Sequence, residues 1–161
     1  MYQVEVKRYL IEHRFHPSDG WSVTVDLDAM EMGKGGQNPP EKREIALHHR
    51  NWMEEAGVTI GPHPEYGRVD IVAEHTEHGT FLIEAEGDTS KQKEQSMYSA
   101  LGQSIIMMKN QYKGFTYGLA FPDDDTWIIQ ANKIPNHVCS LLNLRLYLVS
   151  QHRVKDLREK L

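Results

Sequence analysis

The chain is short of cysteine and of long apolar runs, and each shortage removes a class of protein. One cysteine, Cys139, in 161 residues permits neither an internal disulfide nor a thiolate zinc site. Stability must then come from packing, as expected of a cytoplasmic protein. The best apolar stretch, 141–149, is broken by Asn143 and Arg145 and falls short of the roughly 18 residues of a membrane span. The start, MYQVEVKR, is charged where a signal peptide needs an apolar core. Neither GxxxxGK[ST] nor GxGxxG occurs, which argues against a nucleotide-binding loop, and there is no repeat or low-complexity segment. What is present is ordinary for one domain with a buried core: 39 % apolar, 25 % charged and 9 % aromatic residues.

The net charge of -5 points away from a protein that coats nucleic acid by bulk charge. Its distribution is uneven. Residues 133–161 carry six basic groups against two acidic ones, while the first 132 residues hold 12 basic and 21 acidic groups. A charge-rich end of this kind reads as a solvated face more readily than as a nucleic-acid patch.

The linker-like stretch GKGGQNPP (33–40) divides residues 1–40, read as an N-terminal addition with one strand, from a core over 41–149 and a charged tail over 150–161, all within a single domain. In WSVTVDLD, Trp21, Val23, Val25 and Leu27 alternate with polar residues, the pattern of a half-buried strand. Residues 3–14 fit a helix (Val6, Tyr9, Leu10, His13) or a strand (Tyr2, Val4, Val6), and helix is preferred. Pro40 opens a helix that Gly57 ends, with Ile45, Trp52, Met53 and Ala56 on its apolar side. The segments 58–60, 68–74 and 80–86 then read as a three-stranded meander. A second long helix over 91–109 places Met97, Leu101, Ile105 and Met108 on one face. A strand ended by Pro122, a helix, a short helix after Pro135 and a strand at 144–149 complete an α/β sandwich around a mixed sheet.

The chemistry-bearing residues are Asp70, Glu84 and Glu86. Glu84 and Glu86 are two apart on a strand and share a face. If the hairpin closes over five residues from His75 to Gly79, Asp70 lies opposite Glu84 and Val72 opposite Leu82, with Cβ atoms about 5 Å apart. Like charges so opposed destabilise a sheet, and a divalent cation relieves the defect. Oxygen-only ligands select a hard ion, Mg²⁺ or Mn²⁺. The same register sets Arg68 opposite Glu86, which leaves open an ordinary cross-strand ion pair with Asp70 and Glu84 merely solvated.

GRVDIVA (67–73), a hairpin, LIEAEG (82–87) and a helix carrying ALGQ (100–103) resemble the PD-(D/E)XK nuclease superfamily, the fold of many restriction endonucleases and junction resolvases. The resemblance spans about residues 41–149. It implies a restriction-endonuclease-like three-layer sandwich with an α-β-β-β-α-β-α-β core, and a Mg²⁺- or Mn²⁺-dependent endonuclease acting on DNA in restriction, repair or mobile-element biology. By position, Asp70 resembles the family's metal-binding Asp and Glu84 its second acidic ligand, with Ala85 lending its carbonyl.

The family usually has Lys two residues after the second acid, where this chain has Glu86. A minority of restriction enzymes also carry Glu there, and an acidic residue can accept a proton from metal-bound water. Alternatively Lys91 or Lys93 supplies the cation, or the site is inactive. Gln103 matches a glutamine frequent on this helix and forms a polar stripe with Gln92, Ser96 and Ser99, which either lines the site and contacts phosphate or faces solvent. Glu44 resembles an acid that many members place on the preceding helix as an extra ligand, with Glu41 its competitor. Restriction-type enzymes often pair, so a homodimer is among the partners implied. The rival class is a non-catalytic module that keeps this fold to bind nucleic acid or a partner protein, favoured by Glu86 and the acidic balance.

Other clusters read as structural. The histidine pairs 13/16, 48/49 and 75/78 form no HExxH, although His48 lies one turn after Glu44. Asp26 and Asp28 share a strand face with no third ligand and are expected to face solvent. Asp123–Asp125 suit a helix N-terminus, and Cys139, among Val138, Leu141 and Leu142, suits the core.

Overall fold

In the computed structural model, which describes residues 1–35, 37–88, 92–108 and 114–158, the chain runs through α1 (Gln3–Arg14), β1 (Ser22–Val25), α2 (Pro40–Glu55), β2 (Thr59–Ile60), β3 (Ile71–His75), β4 (Gly79–Ala85), α3 (Lys93–Met107), β5 (Phe115–Pro122), α4 (Asp125–Ala131), α5 (Asn136–Leu142), β6 (Leu144–Val149) and β7 (Val154–Asp156). The strands form one mixed sheet in the order β2-β1-β3-β4-β5-β6-β7. β1, β3 and β4 are successively antiparallel, β4, β5 and β6 run parallel, and the edge pairs are β1 with β2 (parallel) and β6 with β7 (antiparallel).

Side-chain alternation sorts each strand into two cores. On one face Val23, Val25, Ile71, Ala73, Ile83 and Val149 pack with α1 and α2. On the other Val72, Leu82, Leu119, Phe121, Leu146 and Leu148 pack with Met97 of α3, Trp127 of α4 and Cys139 of α5. Helices thus cover both faces of the sheet, as expected. No helix among the described residues is long and apolar enough to cross a membrane.

Local signals placed most element ends. Pro40 is the first residue of α2, and Gly57 beyond its end takes a φ of +96°. The Asp124 carboxylate accepts the Trp127 N–H at 3.0 Å and caps α4, so this acidic run serves the helix.

Three sequence expectations are corrected. The meander is β1-β3-β4, and 59–60 lies outside it as an edge strand beside β1. Sheet pairing therefore crosses the boundary drawn at residue 40, and the segment with α2 and β2 is inserted between two neighbouring strands. Secondly, part of the charged tail forms β7, which closes the sheet edge beside β6. Thirdly, α3 buries Ser96, Met97, Ala100 and Ser104, while Ile105 is 53 % exposed. Small residues let α3 lie close to the sheet, and the Ser104 hydroxyl satisfies itself by donating to the Ala100 carbonyl at 3.0 Å.

Candidate functional site

Asp70 immediately precedes β3, and Glu84 lies near the end of β4. The ladder pairs Ile71 with Ile83 and Val72 with Leu82, the register expected from the loop length, and one further step sets Asp70 against Glu84. Glu84 is only 8 % exposed. Burial, and next the charge of Asp70, push its carboxyl up to about 9, and the two side chains are hydrogen-bonded. Near neutral pH Glu84 therefore carries a proton and donates it toward Asp70.

The balancing positive charge comes from α1. Lys7 is fully buried, with Nζ 2.8 Å from Asp70 Oδ1, 2.8 Å from Glu31 Oε2 and 2.7 Å from the Asp26 carbonyl oxygen. Three N–H donors meet three acceptors, so the ammonium is saturated. Burial alone lowers its pKa, but the charges of Asp70 and Glu31 outweigh this and hold it above the ordinary value. The like-charge defect expected between Asp70 and Glu84 is thus already relieved, by an ammonium and a proton.

Asp70 Oδ2 accepts the Ala85 N–H at 2.9 Å and the Gln3 amide at 3.3 Å. Both main-chain groups of a strand residue point to the same side, so the Ala85 carbonyl is directed toward the Asp70 side of β4. The start of α1 is held here by close packing: a Cβ on Gly87 would lie 2.3 Å from the Gln3 nitrogen. Glycine at 87 lets the first turn of α1 rest directly on the chain leaving β4.

Glu31 is the third acid. It lies in the segment between β1 and α2, where its N–H donates to Asp28 Oδ1 at 2.7 Å. It is 4 % exposed, and burial pushes its carboxyl up to about 7 against the pull of Lys7. Its Oε1 is buried and has no hydrogen-bond partner among the described residues.

Beside this cluster opens a cleft of about 790 Å³, lined by Tyr2 and by Gln3 of α1, by Glu31, Asn38 and their neighbours before α2, by Glu86 and Asp88, and by Gln95, Ser96 and Ser99 of α3. Glu86, Ser96 and Ser99, singled out in the sequence, thus meet at one opening, Ser96 buried and Ser99 exposed. Gln92 and Gln103 are exposed and lie outside this lining, where Gln95 stands instead.

Other candidates are placed elsewhere. Lys93 is drawn to Asp124 at 3.1 Å and Asp88 at 3.4 Å, beside α4. Lys91 lies outside the described residues. Glu44 is exposed on α2 and is not in the cleft lining. Arg68 reaches Asp26 at 3.7 Å, so Asp26, expected in solvent, is half-buried, while Asp28 is exposed. His49 packs edge-on to Tyr9, and His75 and His78 pack against Trp21.

Sequence reasoning missed Lys7 and Glu31. A lysine between Val4 and Ile11 on a buried helical stripe was a usable signal, because lysine is almost never buried unpaired. Glu31, in a stretch without periodicity, gave none. No family model, no curated protein and no solved structure matches the chain.

Proposed function

We propose that the chain is a divalent-cation-dependent phosphodiesterase acting on DNA, built on the PD-(D/E)XK nuclease plan. The observation that carries this reading is the meeting of Asp70, Glu84 and the Lys7 ammonium at the end of β4. Two acids and a lysine are what the superfamily's motif combines, and here α1 brings the ammonium that position 86 lacks. The succession α1-β1-β3-β4-α3-β5, a meander followed by a helical crossover to a parallel strand, supports it. So does the opening of Glu86 and the α3 serines onto a shared cleft.

The donor set suits Mg²⁺ or Mn²⁺: two carboxyl groups and a carbonyl are hard oxygen ligands, and a hard ion keeps several waters. An ion bound here would displace the proton that Glu84 carries near neutral pH. Asp70, Glu84 and the Ala85 carbonyl would hold the ion, which when bound polarises a phosphate and acidifies water. The chain's own residues supply the rest. Lys7, Gln3 and the Ala85 N–H fix both oxygens of Asp70. Glu86 lines the cleft, and a carboxylate at such a place can accept a proton from water. Ser96 and Ser99 offer hydroxyl donors to phosphate oxygens.

One observation favours a second reading, a non-catalytic binding module: among the described residues no group of three His, Cys, Asp or Glu side chains is arranged to hold an ion. Incubation of supercoiled, linear and single-stranded DNA with the protein and Mg²⁺ or Mn²⁺ separates the two. Cleavage is expected from the wild type and is lost in Asp70→Asn and Glu84→Gln. Intact DNA throughout, or cleavage that survives Glu84→Gln, overturns the nuclease reading.

A further inference from the structure

A second cavity, of about 200 Å³, lies at the start of β6 and is lined by Cys139, Ser140, Asn143, Leu144, Arg145 and Arg158. Since β4, β5 and β6 run parallel, this is the opposite end of the sheet from the cleft, and the two linings share no residue. The register explains why two arginines meet there. Tyr147 of β6 pairs with Asp156 of β7, and beyond that rung the Leu157 N–H still donates to the Leu146 carbonyl at 2.9 Å, so the next step carries Arg158 alongside Arg145. Like charges so placed repel, and one carboxylate offsets them. Asp156 takes Arg145 Nη1 at 3.3 Å on Oδ2 and the Arg158 main-chain N–H at 2.9 Å on Oδ1, which engages both its oxygens. Among the described residues the Arg158 guanidinium has the Ile134 carbonyl for partner, at 2.9 Å, and no carboxylate, and its Nε is buried without an acceptor.

We propose that this cavity binds a phosphate group, held by Arg145 and Arg158. Two guanidinium groups against one carboxylate leave a positive charge at an opening whose lining, among the described residues, carries no acid. Each guanidinium has five N–H donors and spends one on the acceptors named above, so donors remain in the planar fork that matches phosphate oxygens. One fork satisfies a carboxylate, whereas the several terminal oxygens of a phosphate suit two. The rest of the lining adds acceptors. Asn143 gives its amide N–H groups to the Phe115 carbonyl and the Thr116 hydroxyl, which leaves its oxygen, and the Ser140 hydroxyl donates to the Asn136 carbonyl. Such acceptors suit the hydroxyl or amine of an organic phosphate, or a proton of phosphate itself. The volume is several times the roughly 30 Å³ share of a water molecule and admits the group. The pocket stands apart from the phosphodiesterase reading, which its presence or absence leaves untouched.

The test is titration with inorganic phosphate, adenosine monophosphate and acetate, at constant ionic strength and in EDTA so that no divalent ion carries phosphate to the cleft. Melting temperature and the ¹⁵N–¹H signals of the arginine side chains are read together. The wild type is expected to melt higher with phosphate and to shift the Nε signals of Arg145 and Arg158, with acetate the weaker ligand. Arg158→Gln should weaken phosphate binding about tenfold or more. Arg158→Lys, which keeps the charge without the fork, falls between and serves if the glutamine variant does not fold. Tighter binding of adenosine monophosphate than of phosphate identifies an organic phosphate as the occupant, and equal or weaker binding identifies free phosphate. A merely structural arginine pair lowers the phosphate-free melting temperature in Arg158→Gln and leaves the phosphate-induced rise intact, which overturns the inference. So does a wild type whose arginine signals do not respond to phosphate, or one that binds acetate as tightly.

Discussion

A lysine without solvent contact is expensive unless its charge is matched, and Lys7 is matched by Asp70 and Glu31. Lys7→Met leaves the buried Glu31 and the half-buried Asp70 without their cation and is expected to cost about 3–5 kcal/mol in urea unfolding. The double variant Lys7→Met/Glu31→Gln should lose less than the sum of the single changes, since the second substitution removes a charge the first stranded. Titration of the acids sets the pH response. Glu84 moves from about 4.5 to about 9 on folding and Glu31 from about 4.5 to about 7. Above pH 4.5 the folded state keeps protons that the unfolded state has lost, so stability is fullest below that point and falls as pH rises toward 9. The slope is at most about 1.4 kcal/mol per pH unit for each group. Melting temperatures of the metal-free protein should decline from pH 5 to pH 9 and decline less in Glu84→Gln. The Asp70 and Glu84 pairing was legible because strand alternation and hairpin length are local properties. Lys7 and Glu31 join the cluster across distances in sequence that periodicity does not register.

At the scale of elements, α1 is the part on which the site depends most, and Gly87 is where it rests. A methyl group at 87 would meet the Tyr2 and Gln3 backbone, which cannot yield as a side-chain tip does. Gly87→Ala is therefore expected to destabilise by about 2 kcal/mol in urea unfolding, and to weaken divalent-ion binding by moving Lys7 and Gln3 away from Asp70. Unchanged stability would contradict the packing described. The strands themselves were readable, 144–149 to the residue, because alternation and terminators are written locally. Their neighbours were not: 58–60 precedes 68–74 in sequence, yet β3 pairs with β1 from across the insertion. Hydrophobic pattern names a strand without naming its partner. On α3 the apolar letters misled because Ala100 and Ser104, which approach the sheet, are small, and Ile105 and Ile106 are left outside.

At the scale of the whole molecule, the placement of charge bears on the proposed metal-dependent action on DNA. Among the described residues, three basic groups of the C-terminal segment hold the fold: Lys155 with Asp123 at 2.9 Å, Arg145 with Asp156 at 3.3 Å, and Arg158 donating to the Ile134 carbonyl at 2.9 Å. Among the described residues the cleft is bordered by Asp28, Glu31, Glu86 and Asp88 and by the basic Lys42. DNA affinity should accordingly be low without a divalent ion and only weakly salt-dependent, with a log-log slope of magnitude no more than about 2 in fluorescence anisotropy titrations. A steep slope in the absence of the ion would locate binding on a basic surface elsewhere. The most direct measurement is calorimetric titration of Mg²⁺ into the wild type and Glu84→Ala side by side. The account predicts binding by the wild type that weakens at least about tenfold in the variant; equal binding by both, or by neither, would contradict it.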